Sequence, residues 1–165
     1  MACIPENVDA AKYAPILCAG MTVLNALRKA GAGVGPGDTV AVQGMGGLGH
    51  LAIQYAAQLG YRVVAISRGS DKEAFARRLG AHEYVDASAG DVGEQLQKLG
   101  GARLILATAP SATAIAPLLK GLGVLGKLVI LSVPGEVVID TGTMVNLSHS
   151  FAPPTVAFIS DSELY

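Results

Sequence analysis

The stretch TVAVQGMGGLGHLAIQYAAQLG, residues 39–60, decides how the rest of the chain is read. It opens on a continuous apolar run, residues 39–42, whose Val side chains suit a strand buried on both faces. Leu48, Leu51, Ala52, Tyr55 and Leu59 then fall at i, i+3, i+4, i+7 and i+11, the stripe of an amphipathic helix. Between the two lie Gly44, Gly46, Gly47 and Gly49, spaced as G-x-G-x-x-G. Each glycine of that motif has a separate task. Gly44 permits a tight turn, Gly46 lets backbone approach a pyrophosphate, and Gly49 lets helix pack closely on strand. Gly47 and Leu48 open the helix, whose free N–H groups and positive dipole end favour phosphate. In a chain with 21 glycines the motif alone means little; the strand before it and the helix after it make it a dinucleotide site.

Outward from this unit the same pattern repeats. Apolar runs at 62–66, 83–85, 103–107 and 127–131 alternate with helical segments marked by Phe75 and Leu79, then by Val92, Leu96 and Leu99. Five strands alternating with helices predict an α/β fold built on a doubly wound parallel sheet with right-handed crossovers. Ser70 with Glu73 reads as a capping box, and Asp91 with Glu94 as its acidic analogue. Gly60, Gly80 and Gly100 stand where three helices should end. Ser111 reads as an N-cap, which leaves Pro117 past the first turn and predicts a kink there. A further helix precedes the sheet, with Pro15 in its first turn, Gly31 at its exit and Ile16, Gly20, Val23, Leu27 and Ala30 along its apolar stripe. Residues 1–145 thus read as one dinucleotide-binding domain with a leading helix, and residues 146–165, with Pro153-Pro154 and no period, as an irregular tail.

The second strand should end in the residue that reads the adenosine ribose. A carboxylate there would accept from the 2′-hydroxyl of NAD. Here the tip is Ser67-Arg68, and Asp71 lies beyond it in the next helix. Arg68 can pair with a 2′-phosphate, Ser67 can donate to it, and Lys72 adds a second positive charge. The tip therefore predicts NADP rather than NAD.

Composition excludes several classes. Twelve basic and 13 acidic side chains give a net charge of −1 and no field suited to nucleic acid. The charge-free stretch 39–61 holds five glycines, three glutamines and His50, which speaks against a membrane span. No secretory leader is visible, so a cytoplasmic location is expected. Charged residues make up only 15% of the chain, which suggests a surface covered by another domain or copy and allows a homo-oligomer. Cys3 and Cys18 are too few for a disulfide scaffold.

Three strings, APILCAGMTVLNALRKAG (14–31), VAVQGMGGLGHLAIQYAAQLG (40–60) and KLVILSVPGE (127–136), closely resemble the nucleotide-binding domain of zinc-dependent medium-chain alcohol dehydrogenases. The Ser67-Arg68 tip with Lys72 looks like the NADP-dependent, cinnamyl-alcohol-dehydrogenase-like members. The resemblance implies a Rossmann fold and hydride transfer between nicotinamide and a small alcohol or aldehyde. It makes Cys18 the third ligand of the family's catalytic zinc and Thr22 a residue lining the nicotinamide. Gly47 and Leu48 meet the pyrophosphate through their backbone, and Leu131, Ser132 and Val133 form the strand end at the carboxamide. On its own residues, Cys18 reads either as a thiolate favoured near a helix start or as a small buried apolar residue. The other zinc ligands of the family come from a preceding GroES-like catalytic domain that does not match any part of these residues. Cys3, Cys18, His50, His82 and His149 show no metal-site spacing, so zinc is expected only in an intact enzyme. His50 is expected near the phosphates or as a half-exposed helix residue, and His82 in solvent. A non-catalytic NADP-binding module and a zinc-free quinone reductase relative are the other readings, and Cys18 within LCAGMT favours the zinc branch.

Overall fold

The computed structural model describes residues 7–31, 33–139 and, as backbone only, 155–158. Cys3, His149 and the expected boundary at 145/146 lie outside the described residues. Six parallel strands form one sheet in the order β3-β2-β1-β4-β5-β6. They are β1 (Thr39–Gln43), β2 (Arg62–Ser67), β3 (Glu83–Asp86), β4 (Ala102–Ala107), β5 (Leu122–Ile130) and β6 (Thr155–Phe158). The expected doubly wound sheet is therefore present, with its reversal of strand order between β1 and β4.

Although the strands read as unbroken apolar runs, their side chains divide between two cores. Val40 and Val42 of β1, Val63 and Ala65 of β2, and Leu104 and Leu106 of β4 face one layer, made by α2 (Met21–Ala30), α3 (Gly47–Gln58) and α4 (Glu73–Arg78). Ala41, Val64, Ile66, Ile105 and Leu128 face the other, made by α5 (Val92–Lys98), α6 (Ala112–Ile115) and the 3₁₀ turns at Ala116–Gly121. The period of two required by the pleat is present in the structure, but invisible in the sequence because both faces are apolar.

Three expectations are corrected. The leading helix begins well before Pro15. Its first segment, α1 (Ala10–Pro15), is capped by the Asp9 carboxylate, which accepts from the amides of Ala11 and Lys12 at 3.0 and 3.3 Å. Pro15 is inside the helical run, and the chain passes through a π-helical stretch, Ile16–Gly20, before α2. That stretch follows the proline, which has no N–H for the α ladder. The capping box at Ser70 does not form; the Glu73 carboxylate turns to Arg77 at 2.9 Å, and α4 starts after Lys72. The third correction is β6, which pairs with β5 over four residues where an irregular tail is expected. By contrast, Asp91 caps α5 through the Glu94 amide, and helix α6 gives way to 3₁₀ geometry next to Pro117.

By length and composition alone the run Ala10–Ala30 could cross a membrane. Val23, Ala26 and Leu27 are buried in the first core, while Tyr13, Leu17 and Met21 are exposed.

Candidate functional site

A cleft of about 550 Å³ opens at the carboxyl ends of β1, β2 and β4. That is the crevice where strand order reverses, the usual ligand position in open α/β sheets. Gly44, Gly46, Ser67, Arg68 and Lys72 all line it, so the glycine turn and the β2 tip face one space.

The turn after β1 has the geometry its glycines were expected to supply. Gly44 has φ +94°, a left-handed conformation that costs other residues energy. A Cβ at Gly49 would stand 1.9 Å from the Gly44 carbonyl oxygen, so α3 rests directly on the turn. A Cβ at Gly46 would meet nothing within 4 Å. The space beside Gly46 is thus open to a ligand rather than filled by the protein. Gly46 is also the N-cap of α3 and brings no side chain to the first-turn amides, which face the cleft end of the helix without intrahelical partners. These features fit the pyrophosphate of a dinucleotide.

The β2 tip is fixed from behind. The Gly69 amide donates to Asp86 Oδ1 at 2.8 Å, and the Tyr84 hydroxyl donates to the Gly69 carbonyl at 2.5 Å. Asp86 Oδ1 also accepts from the Ser88 hydroxyl and amide at 2.6 and 2.8 Å. Those bonds, Ser88's first and Gly69's after, hold the Asp86 carboxyl below its usual range. Burial pushes the pKa of the Tyr84 hydroxyl above its ordinary value, against a smaller pull from Ser67, and nearby Asp86, Asp71 and Glu73 add to the rise.

Other residues expected at the site do not themselves line this cleft. Gly47, Leu48 and Gly49 form the first turn of α3 beside the cleft. Leu131, Ser132 and Val133 follow β5; Leu131 packs on the first core, Ser132 donates to the Ala109 carbonyl at 3.1 Å, and Val133 is exposed. Thr22 is half-buried in α2, away from the cleft lining. Cys18 is exposed and lies in the middle of the 10–30 run. Neither of its own sequence readings holds, since it is neither at a helix start nor buried. Among the described residues no three His, Cys, Asp or Glu side chains gather closely enough to hold a metal ion. Cys18 alone does not fit a catalytic zinc, which needs three protein ligands. His50 is half-buried, with Nδ1 3.2 Å from the Gly46 carbonyl oxygen. His82 is exposed as expected, and its Nδ1 also accepts from the Val63 amide at 3.0 Å.

Several residues in or just behind the cleft lining escaped the sequence reading. Gln43 is buried, and its Oε1 accepts from the Ala109 amide at 3.3 Å. Thr108, at the end of β4, donates from its hydroxyl to the Gln43 carbonyl at 2.9 Å. Ser111 and Thr113 line the far wall with hydroxyls 3.2 Å apart. Asp91 also lines the cleft, but its carboxylate caps α5 and sits 3.8 Å from Lys120 Nζ. The available signal was positional: Gln43 ends β1, and Thr108, Ser111 and Thr113 follow β4, the two strands at the reversal.

The family model described as zinc-binding dehydrogenase matches residues 47–153. Alcohol dehydrogenase notN of an Aspergillus species is 64% identical over 91% of this chain and 44% of its own length. The crystal structure of an alcohol dehydrogenase from Aeropyrum pernix superposes with a TM-score of 0.81 at 27% identity, over 98% of this chain and 48% of that one. The quinone oxidoreductase of Thermus thermophilus, solved also in complex with NADPH, superposes with a TM-score of 0.80 at 25% identity, over 99% and 51%. The chain spans about half the length of the curated relatives it matches.

Proposed function

This chain belongs to the zinc-binding dehydrogenase family, as part of its nucleotide-binding domain, and from that premise we propose that it forms the NADP(H)-binding part of an alcohol or aldehyde oxidoreductase. One observation carries the choice of cofactor: Ser67, Arg68 and Lys72 line the same cleft as Gly44 and Gly46, at a strand tip without a carboxylate. A bound nicotinamide supplies the hydride chemistry. The chain's own residues bind and orient it. Gly46 and the first-turn amides of α3 receive the pyrophosphate, and Arg68 and Lys72 pair with a 2′-phosphate to which Ser67 donates. The family resemblance assigns Thr22, Leu131, Ser132 and Val133 to the nicotinamide end. The alcohol dehydrogenase relatives support an alcohol or aldehyde over a quinone as substrate.

Calorimetric titration of the chain with NADPH and NADH tests the reading. NADPH should bind more tightly, and Arg68→Ala should weaken it by roughly tenfold or more, the share of a charge-assisted hydrogen bond. Equal affinity for the two cofactors in the unaltered chain would defeat the proposal.

A further inference from the structure

The Ser67-Arg68 tip sits on a short turn, and the turn is held by a strand, β3, that does not line the cleft. Gly69 directly follows Arg68, lies between the end of β2 and the start of α4, and has φ +77°, outside regular helix and strand geometry. Both polar groups of its peptide environment are taken by β3. Its amide donates to Asp86 Oδ1 at 2.8 Å, and its carbonyl accepts from the Tyr84 hydroxyl at 2.5 Å. Tyr84 and Asp86 pair in register with Ala65 and Ser67 on the neighbouring strand β2. Ser67 and Arg68 line the cleft, whereas Gly69, Tyr84 and Asp86 do not. Asp86 is itself oriented by the two bonds from Ser88, so the acceptor is fixed before it meets Gly69.

We infer that Asp86 and Tyr84 are positioning residues for cofactor choice: their two-point clamp on Gly69 fixes the Ser67-Arg68 tip where it meets the 2′-phosphate. This rests on the NADP reading of the same tip. A charged fork such as Arg gives directional recognition only when its backbone is held, because otherwise binding must order the turn as well. The clamp supplies that order in advance. Asp86 carries a negative charge, so a purely electrostatic role would have the opposite sign: its removal would then strengthen phosphate binding.

The test uses the 165-residue chain and two probes, adenosine 2′,5′-bisphosphate and adenosine 5′-monophosphate, with affinities from calorimetry. The unaltered chain should prefer the bisphosphate. Asp86→Ala should weaken the bisphosphate roughly tenfold and the monophosphate by less than about twofold, as for loss of one charged hydrogen bond. Asp86→Asn, which keeps Oδ1 as an acceptor while removing the charge, should restore most of the preference. Tyr84→Phe should lower it in the same direction, and decides the matter if Asp86→Ala fails to fold. Tighter bisphosphate binding in both Asp86 variants, equal weakening of both nucleotides, or an unchanged ratio in Asp86→Ala and Tyr84→Phe would overturn the clamp. A lack of preference in the unaltered chain would sink the NADP reading itself, and the clamp with it.

Discussion

His82 is exposed at the surface, yet its Nδ1 stands 3.0 Å from the amide nitrogen of Val63, a residue with no exposed surface. The bond closes the β2–β3 ladder one residue before its first paired position, Val64 with Glu83. It requires the imidazole to leave Nδ1 unprotonated as an acceptor. His82→Ala should therefore lower stability by about 1 kcal/mol, the net value of one such bond. His82→Asn places an amide oxygen in a similar position and should recover most of it. Urea unfolding of the three proteins measures this, and equal midpoints would show that water replaces the ring without cost. The sequence places His82 next to a short strand but not against Val63, which is 19 residues away. The same holds for Asp86 and Gly69, 17 residues apart: their bond exists only because β2 and β3 pair in one particular register. Contacts of this kind depend on sheet register, and no local pattern reports it.

At the scale of elements, the strand–turn–helix unit separates two roles that the sequence motif merges. Gly46 is open on its Cβ side, whereas Gly49 is pressed to 1.9 Å of the Gly44 carbonyl. Gly46→Ala should therefore leave thermal stability nearly unchanged while abolishing tight NADPH binding. Gly49→Ala should destabilise the fold by roughly 1–3 kcal/mol, the range for overpacking, because α3 must move off the turn. Thermal melts together with calorimetry distinguish the two; a Gly46→Ala protein that binds NADPH as before would remove the glycine turn from the site. The motif was legible because its requirements are local. So were the five strands, since burial on both faces forces apolar runs wherever they lie. The start of the leading helix was not, because Pro15 is a plausible first-turn residue and the cap that matters is Asp9. The Ser70 cap was misread because Glu73 had a better partner in Arg77, one turn along the same helix. Strand β6 was hidden because Thr155–Phe158 is four residues long and follows Pro153-Pro154, so its pairing with β5 is a tertiary choice.

For the molecule as a whole, the cleft is a junction. Its walls come from the turn after β1, the tip of β2, the segment around Gly90 and Asp91, and the region from Ala109 to Pro117. These segments meet only in the folded chain, so a dinucleotide spanning them binds the native state and has no equivalent site on the unfolded one. Mass action then raises apparent stability by RT ln(1 + [L]/Kd), about 2.7 kcal/mol when the ligand stands at a hundredfold its Kd. A chain of this length gains roughly 2–4 °C in Tm per kcal/mol, so saturating NADPH should raise Tm by about 5–10 °C. NADH at the same concentration should give a smaller rise. Each tenfold loss of affinity removes about 1.4 kcal/mol, or about 3–5 °C of the shift. Arg68→Ala should bring the NADPH curve down to the NADH curve while leaving the unliganded Tm in place, because Arg68 is exposed and packs in neither core. Differential scanning calorimetry with each cofactor measures all of these together. Equal shifts for NADPH and NADH would move the specificity away from the β2 tip, and no shift with either would mean that the cleft at the strand reversal holds no dinucleotide.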